Sequence, residues 1–550
     1  MINLTNFQRP QRYVGNEWNV IKKPHQGKIK ICLAYPDLYE IGMSNLGLRI
    51  IYGLLNEYPD IVCERSFLPG SDLIIHLSQS QDKLFSLESK TPLSEFEVIG
   101  VNIGHELNYT NFLKILDLGG IPIYANQRAD NIVVVSSVSN PEPLADFVDV
   151  FYIGEFEENS KIFVDILKNC KSKPERLRAL AGQEGFYVPS MYNFYRKANT
   201  YFFEKKYPDV SLPIKRAYVR DLDTSYVPTK WLTPHTEITH DRVPIELARG
   251  CPRRCTFCQA RDVYFPYRQR KVETVKRLVR QIYETSGYEE FSFLALSASD
   301  YSHIEALLDE MYPFFLKHQI GLSLPSLRVD DLITVLHKKL LKLKKSSLTL
   351  AVEAARDPLR NRLNKEIDIK KLFEAAKVIK HLGTRRIKIY FMFGLPGEEE
   401  EDLLAMRDFV NKLRSESGLM VGVSINIFIP KPFSIWSDQK METESNLNRK
   451  RQSILNNFSR VRNIKLSVAS VKNILLEAII SRADRKFSEV IYKAYSKGAI
   501  MDGYSEHFNW QIWEEAMADS DIDYNDYLNN TSDNYPWSFI ESAKVINSCK

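Results

Sequence analysis

Glycine and proline are scarce, at 23 and 25 of 550 residues, which excludes collagen-like and low-complexity chains. Neither sign of charge dominates. The 74 Lys and Arg residues against 69 Asp and Glu give a formal charge of +5, too small for this length to mark a dedicated polyanion binder. No run of eighteen apolar residues occurs, and the opening MINLTNFQRPQRYVGNEW has no charged-then-apolar leader. A cytoplasmic protein with no membrane partner is therefore expected. Cysteine is sparse and odd in number: Cys32, Cys63, Cys170, Cys251, Cys255, Cys258 and Cys549 form no disulfide framework. What is present, 44% apolar and 11% aromatic residues, is the composition of ordered globular protein, with length enough for three or four domains.

Short apolar runs alternate with amphipathic stretches from residue 29 to about 170. KIKICLAYP, FEVIGVN, NIVVVSS and VDVFYIG read as strands, and NLGLRIIYGLLNE and NFLKILDLGG as helices. The alternation predicts βαβ units, hence an α/β fold opening with a Rossmann-like parallel sheet over residues 1–188. Ligands of such sheets sit beyond the carboxyl ends of the strands. Residues 189–242 read as an irregular connector with one short strand candidate, RAYVRDLD. A second series follows, with strand candidates VPIELA, FSFLALS, GLSLPSL, SLTLAVE, RIKIYFMF and VGVSINIF, whose starts lie 26 to 48 residues apart. That is room each time for one strand and one helix, and six such units predict a partial (β/α)6 TIM-type barrel over 243–440. Helical patterns such as SNLNRKRQSILNNFSRV and SEVIYKAYSKG predict a mainly helical C-terminal region over 441–550. The lysine run KKLLKLKKSS reads as the wet face of an amphipathic helix rather than a nucleic-acid patch.

Three of the seven cysteines crowd into eight residues. In ELARGCPRRCTFC, Cys251, Cys255 and Cys258 are spaced C-x3-C-x2-C, directly after the first barrel strand, where that fold keeps its active site. Three thiolates on one tight loop suit three irons of a [4Fe–4S] cubane and leave the fourth iron open to a small molecule. A zinc site is the alternative. It needs a fourth ligand, and the nearby His235 and His240 match no familiar zinc spacing.

This loop resembles that of the radical S-adenosylmethionine (SAM) enzymes. The likeness sharpens to an uncharacterised subfamily with an N-terminal cobalamin-binding-like domain. It is carried by YPDLYEIGMSNLGL, NPEPLADF, ELARGCPRRCTFCQAR, LSASDYSHIEAL, SLPSLRVDD, EAARDPLRNRLNKEI, YFMFGLPGEEEEDL, FIPKPFSIW, SRADRKF and YPWSFI. The resemblance implies that Cys251, Cys255 and Cys258 ligate a [4Fe–4S] cluster. It also implies that the cluster, reduced by a donor such as a flavodoxin or ferredoxin, cleaves SAM to a 5′-deoxyadenosyl radical. By the same resemblance Phe257 packs near adenine, Ser297, Ser299 and Asp300 receive the SAM ammonium, and Glu353 meets the ribose hydroxyls. Arg328 is suited to the SAM carboxylate, because its fork matches two oxygens, and Gly394 lets backbone approach the adenosine. Neighbouring subfamilies suggest methyl or methylthio transfer to an RNA, a protein or a small molecule. The chain has no second cysteine cluster of matching spacing, which argues against methylthio transfer.

In the N-terminal domain the sequence departs from this pattern. The Asp-x-His-x-x-Gly motif that supplies a lower cobalt ligand is absent, the glycine pair expected before NPEP is replaced by VVVSSVS, and Gly154-Glu155-Phe156-Glu157 stands where relatives read Gly-Asp-Gly-Glu. Loops Tyr39 to Asn45, Asn102 to Asn108 and Ser136 to Asn140 are the candidate contacts. Cobalamin is accordingly expected to bind weakly or not at all.

Overall fold

The computed structural model describes residues 2–324, 348–381, 384–459, 461, 464–529 and 532–541. The chain forms two compact units, one of Met1–Arg220, Thr224–Asp241 and Ile479–Lys550, the other of Asp221–Asp223 and Arg242–Ala478.

The first unit is built on a six-stranded sheet in the order β2-β1-β3-β4-β5-β6. Its strands are β1 Ile29–Tyr35, β2 Ile61–Phe67, β3 Val98–Asn102, β4 Ile132–Ser136, β5 Val150–Tyr152 and β6 Phe186–Tyr187. The first five are parallel and β6 runs antiparallel to β5. The order 2-1-3-4-5 is doubly wound, and it reverses between β1 and β3. Helix Leu46–Glu57, capped by the Asn45 side chain on the Leu48 amide, lays Leu48 and Leu55 against the sheet. Strand β2 escapes the hydrophobic pattern because IVCERSF carries two charges. Both are buried: Arg65 pairs with Glu88 at 2.7 Å and Glu17 at 2.9 Å.

Two further elements depart from the sequence reading. RAYVRDLD forms no strand, whereas β7 Tyr192–Lys197 and β8 Thr200–Lys205 make a hairpin inside the expected connector. Its two-residue turn is Ala198-Asn199, with Ala198 at φ 51°, so the usual Asn-Gly signal is missing. The segment from Ile479 onward, with helices Phe487–Ser496 and Trp510–Ala518, belongs to this first unit. Asn140 of NPEP donates to the carbonyls of Ser481 and Ala483, and Glu142 accepts from Arg485 and Tyr187. The NPEP and SRADRKF stretches are thus two halves of one packing contact.

The second unit carries the partial TIM-type βα series. The strands fall where the apolar runs place them: β9 Val243–Glu246, β12 Glu290–Leu294, β13 Gly321–Ser323, β14 Leu348–Glu353, β15 Arg386–Phe393 and β16 Met420–Ile427. A short antiparallel pair, β10 Ala248–Arg249 and β11 Arg268–Gln269, brackets the cysteine loop. The long strands form parallel sheets in the orders β13-β12-β9 and β14-β15-β16-β17. A seventh strand, β17 Ile464–Val468, lies within the region expected to be mainly helical beyond Lys440. It alternates half-buried Ile464, Leu466 and Val468 with exposed Lys465 and Ser467, a pattern too short and too polar to read as a core strand. Arg328, Ser326 and the run KKLLKLKKSS lie outside the described residues.

Candidate active site

The cysteine loop opens at Gly250, where only glycine fits. Its φ is 82°, and a Cβ there would lie 2.7 Å from the Tyr264 carbonyl oxygen and 2.8 Å from that of Pro266, both backbone atoms that cannot yield. The loop beyond it is braced from two sides. The Thr256 amide donates to the Leu363 carbonyl (3.0 Å), Asn364 Nδ2 to the Arg254 carbonyl (2.9 Å), and the Trp436 amide to the Thr256 carbonyl (2.9 Å). Arg253, between the first two cysteines, forks onto Asp300, with Nε to Oδ2 at 2.9 Å and Nη2 to Oδ1 at 2.5 Å. Tyr267 Oη donates to the Asp300 carbonyl at 2.7 Å.

Cys251, Cys255 and Cys258 are free, half-buried thiols. Burial pushes the Cys251 and Cys255 thiols up, with Lys365 opposing it at Cys255, so metal binding has to displace protons there.

All three cysteines line one cavity of about 520 Å³, together with Phe257, Ser297 and Glu353, a volume typical of small-molecule sites. Glu353 ends β14 with φ 67°, where the register to β15 shifts. A non-glycine residue held there is strained, as residues at functional sites often are. Its side chain is only 12% exposed, and Lys365 Nζ stands 3.7 Å from Oε1. Burial is the larger influence and raises the carboxyl, while Lys365 pulls it down. Phe257 also packs on the apolar cluster of Ala354, Leu359, Leu363, Leu395 and Phe428.

Other expected contacts are placed differently. Ser299 sits in the turn Ala298–Asp300 and, like Gly394, is not among the cavity's lining residues. Asp300 gives its carboxylate to Arg253 rather than to an open ammonium site. The Gly394 amide, at φ 74°, donates to Glu398 Oε2 at 2.8 Å, and Lys450 donates to the same oxygen at 2.9 Å. A buried ion pair therefore holds that turn. The sequence reading missed Lys365, Thr349, Ala351 and Tyr390. The strand residues were accessible from alternation, since 349, 351 and 353 share a face.

Residues 245–410 match the family model of the radical SAM superfamily, and residues 47–189 that of radical SAM proteins, N-terminal. The chain belongs to the radical SAM superfamily. It is a radical SAM enzyme carrying the N-terminal domain found in radical SAM proteins, and its resident groups are a [4Fe–4S] cluster and SAM. An uncharacterised protein of Methanocaldococcus jannaschii is 26% identical over 475 residues, covering 85% of this chain and 91% of that one. The bacteriochlorophyllide d C-12(1)-methyltransferase of Chlorobaculum tepidum is 25% identical over 190 residues, 34% of this chain and 40% of that protein. The solved structure of the radical SAM methyltransferase TsrM from Kitasatospora setae, with cobalamin and a [4Fe–4S] cluster bound, shares the fold. Its TM-score is 0.52 at 12% identity, covering 90% of this chain and 99% of that one.

The donor set in the second unit fits its cofactors: three free thiols on one loop, beside a cavity of suitable volume. The first unit fits cobalamin poorly. The slot between helix Leu46–Glu57 and strands β1, β3 and β4 has a volume of only about 60 Å³, about two waters' worth. Phe156, at the glycine-poor loop after β5, lines it and packs edge-on against Tyr152 at 5.2 Å and Phe163 at 5.5 Å. In the candidate loops, Asn45 caps a helix and Asn140 holds Ser481 and Ala483, so neither is open to a ligand. A larger cavity of about 690 Å³ also lies in the first unit. Its Arg128 and Lys173 are already paired with Asp149, and its Arg485 with Glu142. No helix among the described residues is long and apolar enough to cross a membrane.

Proposed function

We propose that Cys251, Cys255 and Cys258 hold the cluster and that Ser297, Glu353 and Lys365 hold SAM beside it. The observation that carries this reading is the convergence of three half-buried free thiols and one buried carboxylate on a single cavity. When bound, a cubane with one iron free of protein ligands supplies the electron that cleaves SAM to a 5′-deoxyadenosyl radical. The remaining work falls to the chain. Glu353 accepts from the ribose hydroxyls, and Lys365 opposes the larger upward pull of burial on its carboxyl. Arg253 on Asp300 fixes the loop that presents the thiols, and Phe257 closes one wall against water. A flavodoxin or ferredoxin is the electron donor, and the reducing cytoplasm is the compartment that keeps the loop free of disulfides.

Methyl transfer is the second reading. The matched relatives include both that methyltransferase and ribosomal protein uS12 methylthiotransferases, the one of Thermoanaerobacter sp. at 23% identity over 184 residues, and the acceptor is an RNA, a protein or a small molecule. Methylthio transfer is disfavoured, because the sequence has no second cysteine cluster of matching spacing and Cys32 and Cys63 are buried in β1 and β2. The test is anaerobic reconstitution with iron and sulfide, reduction with dithionite, and assay for 5′-deoxyadenosine. Production of 5′-deoxyadenosine by a brown protein is the expected result. A colourless, zinc-containing protein that leaves SAM intact would make the barrel a binding module.

A further inference from the structure

The faces of the β14–β16 sheet differ sharply. On one, Leu350, Val352, Ile387, Ile389, Phe391, Val421, Val423 and Ile425 are at most 2% exposed. The other carries Thr349 and Ala351 on β14, Lys388 and Tyr390 on β15, and Gly422 and Ser424 on β16, all half-buried. These six are in register: Lys388 lies between Thr349 and Gly422, and Tyr390 between Ala351 and Ser424. Thr349, Ala351 and Tyr390 line the cysteine cavity, and alternation places Lys388 on the same face. A barrel interior is ordinarily filled by bulky branched side chains. Here small residues flank one lysine and one tyrosine, and the face stays partly open.

The chemistry of the pair is one-sided. Lys388 Nζ donates to Tyr390 Oη at 2.9 Å and lies 4.5 Å from the centre of its ring. No carboxylate among the described residues pairs with Lys388. The ammonium therefore keeps two donors beyond the one given to tyrosine, and the phenol keeps its own O–H. Three donors with no carboxylate paired to them among the described residues match the oxygens of an anion. A half-buried cation is also costly to leave without a counter-charge. On the strand, Lys388 lies three residues short of Phe391, which pairs with Glu353. At about 3.3 Å per residue, that puts its Cα about 10 Å short of the level of Glu353, while its Nζ reaches toward Tyr390.

We propose that Lys388 and Tyr390 are substrate-binding residues, and that the substrate carries an anionic oxygen group, a carboxylate or a phosphate. The inference rests on the reading of this cavity as the radical SAM site. The substrate enters anion first, with the rest of it toward the thiols. Tyr390 orients the anion as a neutral donor, and Gly422 and Ser424 leave it room.

The test uses the full chain, reconstituted with its cluster and saturated with SAM, titrated anaerobically with inorganic phosphate and, separately, with glutarate by calorimetry. At least one should bind in the millimolar range or tighter, and the better of the two identifies the group. Lys388→Met should weaken that binding at least tenfold and Tyr390→Phe about threefold or more. Lys388→Arg should retain it, and the exposed control Lys380→Met should leave it unchanged. Binding of neither anion by wild type, or equal binding by wild type and Lys388→Met, overturns the proposal. Iron content and 5′-deoxyadenosine formation from the same samples separate the two failures. A wild-type protein without cluster refutes the radical SAM reading itself, whereas intact SAM cleavage with unchanged anion binding refutes only the role of Lys388. If Lys388→Met loses its cluster, Tyr390→Phe and Lys388→Arg decide alone, and unchanged binding in Tyr390→Phe counts against the proposal.

Discussion

Replacing Asp300 by Asn tests whether the cysteine loop is held by its ion pair with Arg253. The substitution keeps the volume but removes the charge, and it turns one of two accepting oxygens into a donor facing a guanidinium. Arg253 is 39% exposed and Asp300 12%, so solvent screens the pair and an interior dielectric would overstate it. A bidentate, partly exposed pair of this kind contributes about 1–2 kcal/mol. The contacts to Leu363, Asn364 and Trp436 persist, so the loss falls on the Arg253 end of the loop. At about 1.4 kcal/mol per factor of ten, the open form of the loop gains about 5- to 30-fold in population. Iron release from the reconstituted protein to a chelator should accelerate by the same factor, provided opening precedes release. The melting temperature should move little, because the unit's strands and helices do not depend on this pair. If instead the pair supported the whole unit, the melting temperature would fall by about 2–8 °C. Chelator release at the wild-type rate would refute the argument, and Arg253→Met combined with Asp300→Asn should be no worse than the worse single variant.

Three other outcomes are expected. Anaerobically prepared protein should hold about four irons and four sulfides per chain, and Cys255→Ala should lose them, as read by iron analysis and visible absorption; full iron and SAM cleavage in all three Cys→Ala variants would refute the ligand assignment. Glu353→Gln should weaken SAM binding by about 1–3 kcal/mol, the range for a charge-assisted hydrogen bond, with the cluster retained; unchanged affinity with a lowered melting temperature would mark a structural carboxylate. Equilibrium dialysis should find no stoichiometric micromolar binding of hydroxocobalamin to the wild type, and Phe156→Gly should increase whatever binding exists; stoichiometric binding by the wild type would show that the Phe156 contacts yield.

Much of the architecture was legible because the strands read as apolar runs, continuous in β1 and alternating in β15 and β16. KIKICLAYP, RIKIYFMF and VGVSINIF needed no context. The misses share a cause, which is that their stabilising partners are remote in sequence. Strand β2 hides behind Glu64 and Arg65, whose burial makes sense only once Glu17 and Glu88 are beside Arg65. Strand β17 is half polar and is recognisable mainly by its place next to β16. The hairpin β7–β8 turns on an alanine with positive φ, a conformation no propensity assigns to it.

Legibility of the site followed a different rule. Cys251, Cys255 and Cys258 were readable because ligand spacing on one loop is a local property. The residues proposed to face SAM were not, because their position depends on where strands end relative to one another. Alternation alone places residues 349, 351 and 353 on one face, yet only the register shows that this face abuts Lys388 and Tyr390. The motif glycine Gly394 illustrates the converse. Its surroundings, a buried Glu398 shared with Lys450 and a leucine 2.8 Å from where its Cβ would stand, require glycine for packing whether or not a nucleoside approaches it. A motif glycine thus reports that the backbone is crowded, and only the coordinates tell by what. The cysteine triplet, in contrast, carries its chemistry in its spacing, so it alone could support a reaction class before any geometry was known.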